Sequence, residues 1–194
     1  MQILDAAGKD ITHEKPWFNN ASIKNKLAKG NPYYTAITCG HWSMLFSKRF
    51  IQDYSVKYST LACGEEGLFY LKVFLNTNNI SFCDETVYHY CMRPGSLSDI
   101  ENLERHMIFG EALKERVELL KSKGLADTDY AYVTNYANYC LKTFKEYLQG
   151  REAGTDAITE KYLGIIENAI NRMEEPQRVF EALPRYQELK TSRY

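Results

Sequence analysis

The return of apolar residues at three- and four-residue spacing through the second half of the chain constrains the fold most. Leu103, Met107, Gly110, Leu113, Val117 and Leu120 share one face of a helix predicted over 100–123, with Gly124 as its stop. Tyr130, Val133, Tyr136, Ala137, Cys140, Leu141, Phe144, Tyr147 and Leu148 define a second helix, capped at Asp127 or Thr128 and stopped at Gly150. A third opens at Thr155 or Asp156 and carries Ile158, Tyr162, Ile165, Ile166, Ala169, Ile170 and Met173 on one face. Pro176 interrupts it, and a last short helix is expected to end at Leu183, before Pro184. Residues 100–194 are therefore expected to form a helical bundle or extension.

The first half reads differently. Residues 1–34 are irregular, with a turn at Gly30-Asn31-Pro32. Between Tyr34 and Phe46, β-branched and aromatic residues predict one or two strands, and Lys48 to Asp53 a short helix. From Glu65 to Asn76, Leu68, Phe69, Leu71, Val73, Phe74 and Leu75 predict a mostly buried helix. Its first turn holds Glu65 and Glu66, where the helix dipole favours negative charge. Ile80 to Cys83 and Thr86 to Met92 read as short strands. The expected class is α+β: a short mixed sheet packed with helices over 1–99, followed by the helical bundle.

Bulk properties narrow the function. The 194 residues suffice for one domain with a core, or one domain and a helical appendage. A net charge of -1 gives no electrostatic reason to expect nucleic acid or an anionic membrane as partner. No apolar run approaches the ~20 residues of a membrane span, and Met1 to Asp10 lack the basic and apolar regions of a signal peptide. The five cysteines form no C-x-x-C pair and are odd in number, so buried free thiols in a reducing, cytoplasmic setting are expected. The 15 tyrosines fit core and helix contacts better than sugar-binding platforms.

Three motifs carry chemistry. Gly40-His41-Trp42-Ser43-Met44-Leu45-Phe46-Ser47-Lys48-Arg49-Phe50 comes first, and Gly64-Glu65-Glu66 opens the apolar helix. Then Tyr88-His89-Tyr90-Cys91-Met92-Arg93-Pro94-Gly95-Ser96-Leu97-Ser98 runs from an aromatic strand into a Gly-Ser turn. In this order and spacing, over about residues 3–99, they resemble the C-terminal half of the family-two glycosyltransferases, inverting enzymes of the GT-A fold.

The resemblance implies an incomplete GT-A-like fold and direct displacement at the anomeric carbon of a nucleotide-sugar, in surface polysaccharide synthesis. Glu66 would take the proton of the acceptor hydroxyl and Glu65 would orient it. His41, Trp42, Tyr90, Arg93 and Ser96 would line the substrate site, and His89 would be a metal or phosphate contact. Two departures stand out. Glu66 occupies the place of the family aspartate, and Cys91 that of a frequent arginine. No D-x-D lies before Trp42, and Asp127-Thr128-Asp129 falls at a helix start in the bundle. A divalent ion, Mn or Mg, is thus implied for the complete enzyme and none for this chain alone. The implied partners are a missing N-terminal half or a second copy of the chain, together with a glycan acceptor. The implied location is cytoplasmic, the inner face of the membrane included.

Each residue also has a plainer reading. Acidic pairs are commonplace at helix starts, Trp42 fits a core strand position, Gly95-Ser96 fits a turn and a lone His89 fits a structural role. The rival to an enzyme is a non-catalytic interaction or assembly module that keeps a degenerate transferase remnant.

Overall fold

The computed structural model describes residues 2–4, 8, 9, 44–77, 79–81, 83, 85, 88–91, 103–149, 151 and 155–191, with the backbone alone for Gln2–Leu4 and Tyr90. The chain divides into two compact units. One comprises Met1–Thr60 and Glu65–Asp99, the other Leu61–Gly64 and Ile100–Tyr194.

In the first unit, α1 spans Lys48–Asp53, where a short helix is predicted. The Ser47 side chain caps it by accepting from the Phe50 N–H at 3.4 Å. The chain leaves α1 through Tyr54 and Ser55, the latter at φ 50°. Helix α2 spans Glu65–Phe74 and buries Leu68, Phe69, Tyr70, Leu71, Val73 and Phe74. Strands β1 (Gln2–Leu4) and β2 (His89–Cys91) pair in parallel, with Gln2 opposite His89, Ile3 opposite Tyr90 and Leu4 opposite Cys91.

The expected α+β class, with its short mixed sheet and incomplete GT-A-like fold, is overturned. The described residues are mostly helical, and their strand pairing is confined to those two three-residue segments. Ile80, Ser81 and Cys83 take no strand conformation, and Ser81 and Cys83 are exposed. Met44 to Ser47 are likewise outside any strand, and residues 34–43 of that predicted segment lie outside the described residues.

The second unit is built from helices. Helix α3 spans Leu103–Lys121, α4 Asp127–Leu148, α5 Asp156–Ile170, α6 Pro176–Phe180 and α7 Pro184–Thr191. Past the end of α3, Gly124 sits at φ +80°, a conformation that side chains beyond glycine rarely tolerate. The cap of α4 is Ala126, not Asp127 or Thr128. The Asp129 carboxylate reaches back to accept from the Ala126 N–H at 2.8 Å, which satisfies one donor that the helix cannot. Pro184 opens α7 instead of ending the helical region, because proline lacks only an N–H that a first turn leaves unpaired anyway.

Helix α3 packs on α4 and α5, while α6 and α7 cover α4 and α5. At the α3–α5 crossing, Gly110 faces Ile165, and a Cβ on Gly110 would lie 2.8 Å from the Ile165 Cγ2. Phe144 and Tyr162 stack 4.0 Å apart between α4 and α5. Val117, Leu141, Ile166 and Val179 are fully buried in the same unit. No helix among the described residues is long and apolar enough to cross a membrane.

Candidate functional site

Glu65 and Glu66 form the first turn of α2, and both are half-buried. The residue before them, Gly64, has φ +77°, and its carbonyl accepts from the Arg116 guanidinium at 3.3 Å. A side chain at Gly64 would press on Ala112 and Phe109, each 3.3 Å from an added Cβ. Glycine is therefore required here for both its dihedral angle and its space.

One turn along α2, Phe69 anchors an aromatic cluster. Tyr58 lies nearly parallel to it, with centroids 4.4 Å apart and planes at 13°, and Phe46 meets it edge-on at 5.2 Å. Tyr70 extends the cluster towards Phe46 at 6.4 Å and Phe74 at 6.1 Å. The segment carrying Tyr58 is fixed to α2 by the Lys72 ammonium, which donates to the Lys57 carbonyl at 2.9 Å. Phe69 is 6% exposed, whereas Tyr58 keeps 46% of its surface in solvent. The Tyr58 phenol is raised above its ordinary value by burial first, then by the negative charges of Glu66 and Glu65. Both carboxylates thus act on this hydroxyl electrostatically.

Of the residues picked out in the sequence, Glu65 and Glu66 are brought together on one helical turn. His89 is exposed on β2, opposite Gln2, and Tyr90 pairs with Ile3 through the backbone. His41, Trp42, Arg93 and Ser96 lie outside the described residues. Among the described residues no group of three or more His, Cys, Asp and Glu side chains could hold a metal ion, His89 included. No chemical step is assigned to a metal ion. Tyr58 was missed in the sequence because it belongs to a short segment without periodicity. The one available signal was an aromatic residue standing alone among polar neighbours in Lys57-Tyr58-Ser59.

Among the described cysteines, the expectation of burial holds for Cys140 alone. Cys63 is partly exposed, while Cys83 and Cys91 are exposed. Cys140 sits beside Tyr136, Tyr162 and Arg116 in the second unit, and burial pushes its thiol up to about 12 despite the lowering effect of Arg116 and the two phenols. It is not a nucleophile at neutral pH. Arg116 is itself buried. It donates to the Tyr132 hydroxyl at 3.2 Å and the Ala112 carbonyl at 3.0 Å, and lies 3.9 Å from the Tyr136 ring centroid. This cluster is a polar core that ties α3 to α4.

No family model matches the chain, and no solved structure matches it. A curated relative does. The chain is 23% identical over 165 residues to Glycosyltransferase GlyA of Streptococcus pneumoniae. The match takes in 84% of this chain and 23% of that protein, so the chain spans about a quarter of its relative's length. The relationship is distant, and it is to a glycosyltransferase.

Proposed function

We propose that this chain carries the acceptor-activating part of a glycosyltransferase. In this reading the reaction moves a sugar from a nucleotide-sugar to a hydroxyl of a glycan acceptor, with inversion at the anomeric carbon. The Glu66 carboxylate takes the proton of the acceptor hydroxyl as its oxygen forms the new bond to that carbon. The bond from the anomeric carbon to the donor phosphate breaks, and the nucleoside diphosphate leaves with the electron pair. Glu65, the adjacent residue, orients Glu66 or the acceptor. No donor site is assigned to the described residues.

The observation that carries this reading is the half-buried acidic pair at the head of α2, set beside an aromatic cluster in a chain similar to a glycosyltransferase. Partial burial and a fixed helical frame are what a positioned carboxylate base requires. The test is transfer of labelled sugar from a panel of nucleotide-sugars to glycan acceptors by the gene product that contains this segment. Incorporation supports the reading, and its absence across the panel counts against it. A non-catalytic module is the second reading. It is favoured by Glu66 standing where the resembled family has aspartate, since one extra methylene displaces the carboxylate by ~1 Å, enough to cost orders of magnitude in rate.

A further inference from the structure

We propose that the Tyr58 ring is the stacking platform for a pyranose unit of a neutral glycan acceptor, with the Glu65 and Glu66 carboxylates accepting hydrogen bonds from its hydroxyls. This deepens the transferase reading above and rests on it.

The geometry starts from Phe69. One face of Tyr58 lies on that nearly buried ring at 4.4 Å and 13°, and 46% of the Tyr58 surface stays in solvent. Phe46 meets Phe69 edge-on, and the Lys72 bond to the Lys57 carbonyl fixes the neighbouring backbone. The exposed ring is thus presented in one orientation rather than free to turn.

The carboxylates lie on the same side of the helix. Glu65 and Glu66 precede Phe69 by four and three residues, the two spacings that share a helical face. Helical side chains lean towards the N-terminus, so the Phe69 ring, with Tyr58 stacked on it, tilts towards the turn that holds both acids. A flat apolar face therefore stands next to a pair of strong acceptors.

A pyranose matches that pairing: its C–H face suits an aromatic ring, and its rim of hydroxyls suits carboxylates. A nucleotide base would also stack, but its phosphates would be repelled by two carboxylates. The ring is accordingly assigned to the acceptor side of the reaction and to an uncharged sugar.

The test is ligand-observed NMR on this chain with a panel of neutral methyl pyranosides and disaccharides, and with uridine diphosphate as a separate probe. The expected result is that at least one sugar binds, with saturation strongest on its C–H face. Tyr58→Ala should weaken that binding about tenfold, while Tyr58→Phe should leave it nearly unchanged. Tyr58→Leu, which keeps apolar cover over Phe69 but removes the ring, should behave like Tyr58→Ala and guards against a folding defect in the smaller variant. Failure of the wild-type chain to bind any sugar overturns the proposal, as does equal binding by wild type, Tyr58→Ala and Tyr58→Leu. Competition by uridine diphosphate at the same ring overturns it too, by making the ring a donor contact. Sugar binding that depends on Tyr58 in a protein that transfers no sugar supports the platform and removes the transferase reading instead.

Discussion

Tyr58 and Phe69 stack with their centroids 4.4 Å apart and their planes 13° from parallel, one helical turn from Glu65 and Glu66. Phe69 is nearly buried, so Phe69→Ala removes both a ring from packed surroundings and the support beneath Tyr58. The expected cost is about 3 kcal/mol, measured by urea unfolding. The Tyr58 phenol should also move back towards its ordinary 10.0 in a spectroscopic titration, because burial is the first cause of its rise. An unchanged phenol in a folded Phe69→Ala protein would contradict the stacked arrangement.

Gly110 and Gly164 make opposite predictions although both lie inside helices. An added Cβ at Gly110 would fall 2.8 Å from the Ile165 Cγ2, while at Gly164 it would meet nothing within 4 Å. Gly110→Ala is therefore expected to destabilise by about 1–3 kcal/mol through overpacking. Gly164→Ala is expected to stabilise by about 0.5–1 kcal/mol, because alanine loses less backbone freedom on folding. Truncating the partner should restore part of the Gly110→Ala loss. A double-mutant cycle with Ile165→Ala measures that coupling, and a coupling of zero would place the two residues apart.

The buried thiol sets an alkaline limit. An unfolded chain releases the Cys140 proton near the ordinary 9.0, whereas the folded chain holds it until about 12. The unfolded state then binds fewer protons, so this contribution is complete below pH 9 and is lost as the pH rises towards 12. Tyr136 and Tyr162 are raised well above their ordinary value by the same burial and add a slope of the same sign. Cys140→Ala should flatten the fall in stability between pH 9 and 11 without removing it. At pH 8, mass-spectrometric mapping after iodoacetamide should find Cys83 and Cys91 alkylated and Cys140 untouched.

Helices were legible in the sequence wherever an apolar stripe ran for three turns or more. The stripes from Leu103 to Leu120, from Tyr130 to Leu148 and from Ile158 to Ile170 each became one helix, and even the six-residue α1 took the predicted span. The strand predicted over Thr86 to Met92 forms at His89–Cys91, whereas the one predicted over Ile80 to Cys83 does not form at its described residues, for a physical reason. Short runs such as Ile80 to Cys83 have the right residue types, but a strand exists only if something pairs with it and one face is buried. The capping of α4 was misread because Asp129 works backwards along the chain, bonding the Ala126 N–H from inside the helix. At the candidate site, Glu65 and Glu66 were legible as an acidic first turn. Tyr58 was not, because its place depends on a contact eleven residues away in the chain, with Phe69.

The central claim is that Glu66 is the base in sugar transfer, and the most direct measurement compares Glu66→Gln with Glu65→Gln in the gene product containing this segment. Glutamine keeps the shape of the side chain and removes the proton acceptor. Under a saturating nucleotide-sugar and glycan acceptor, Glu66→Gln is expected to lower transfer by at least about a hundredfold, the lower range for loss of a general base. Donor affinity should be nearly intact, since only the chemical step is affected. Glu65→Gln, which removes the orienting partner, should lose less. Transfer by Glu66→Gln at the wild-type rate would contradict the account and take Glu66 out of the mechanism.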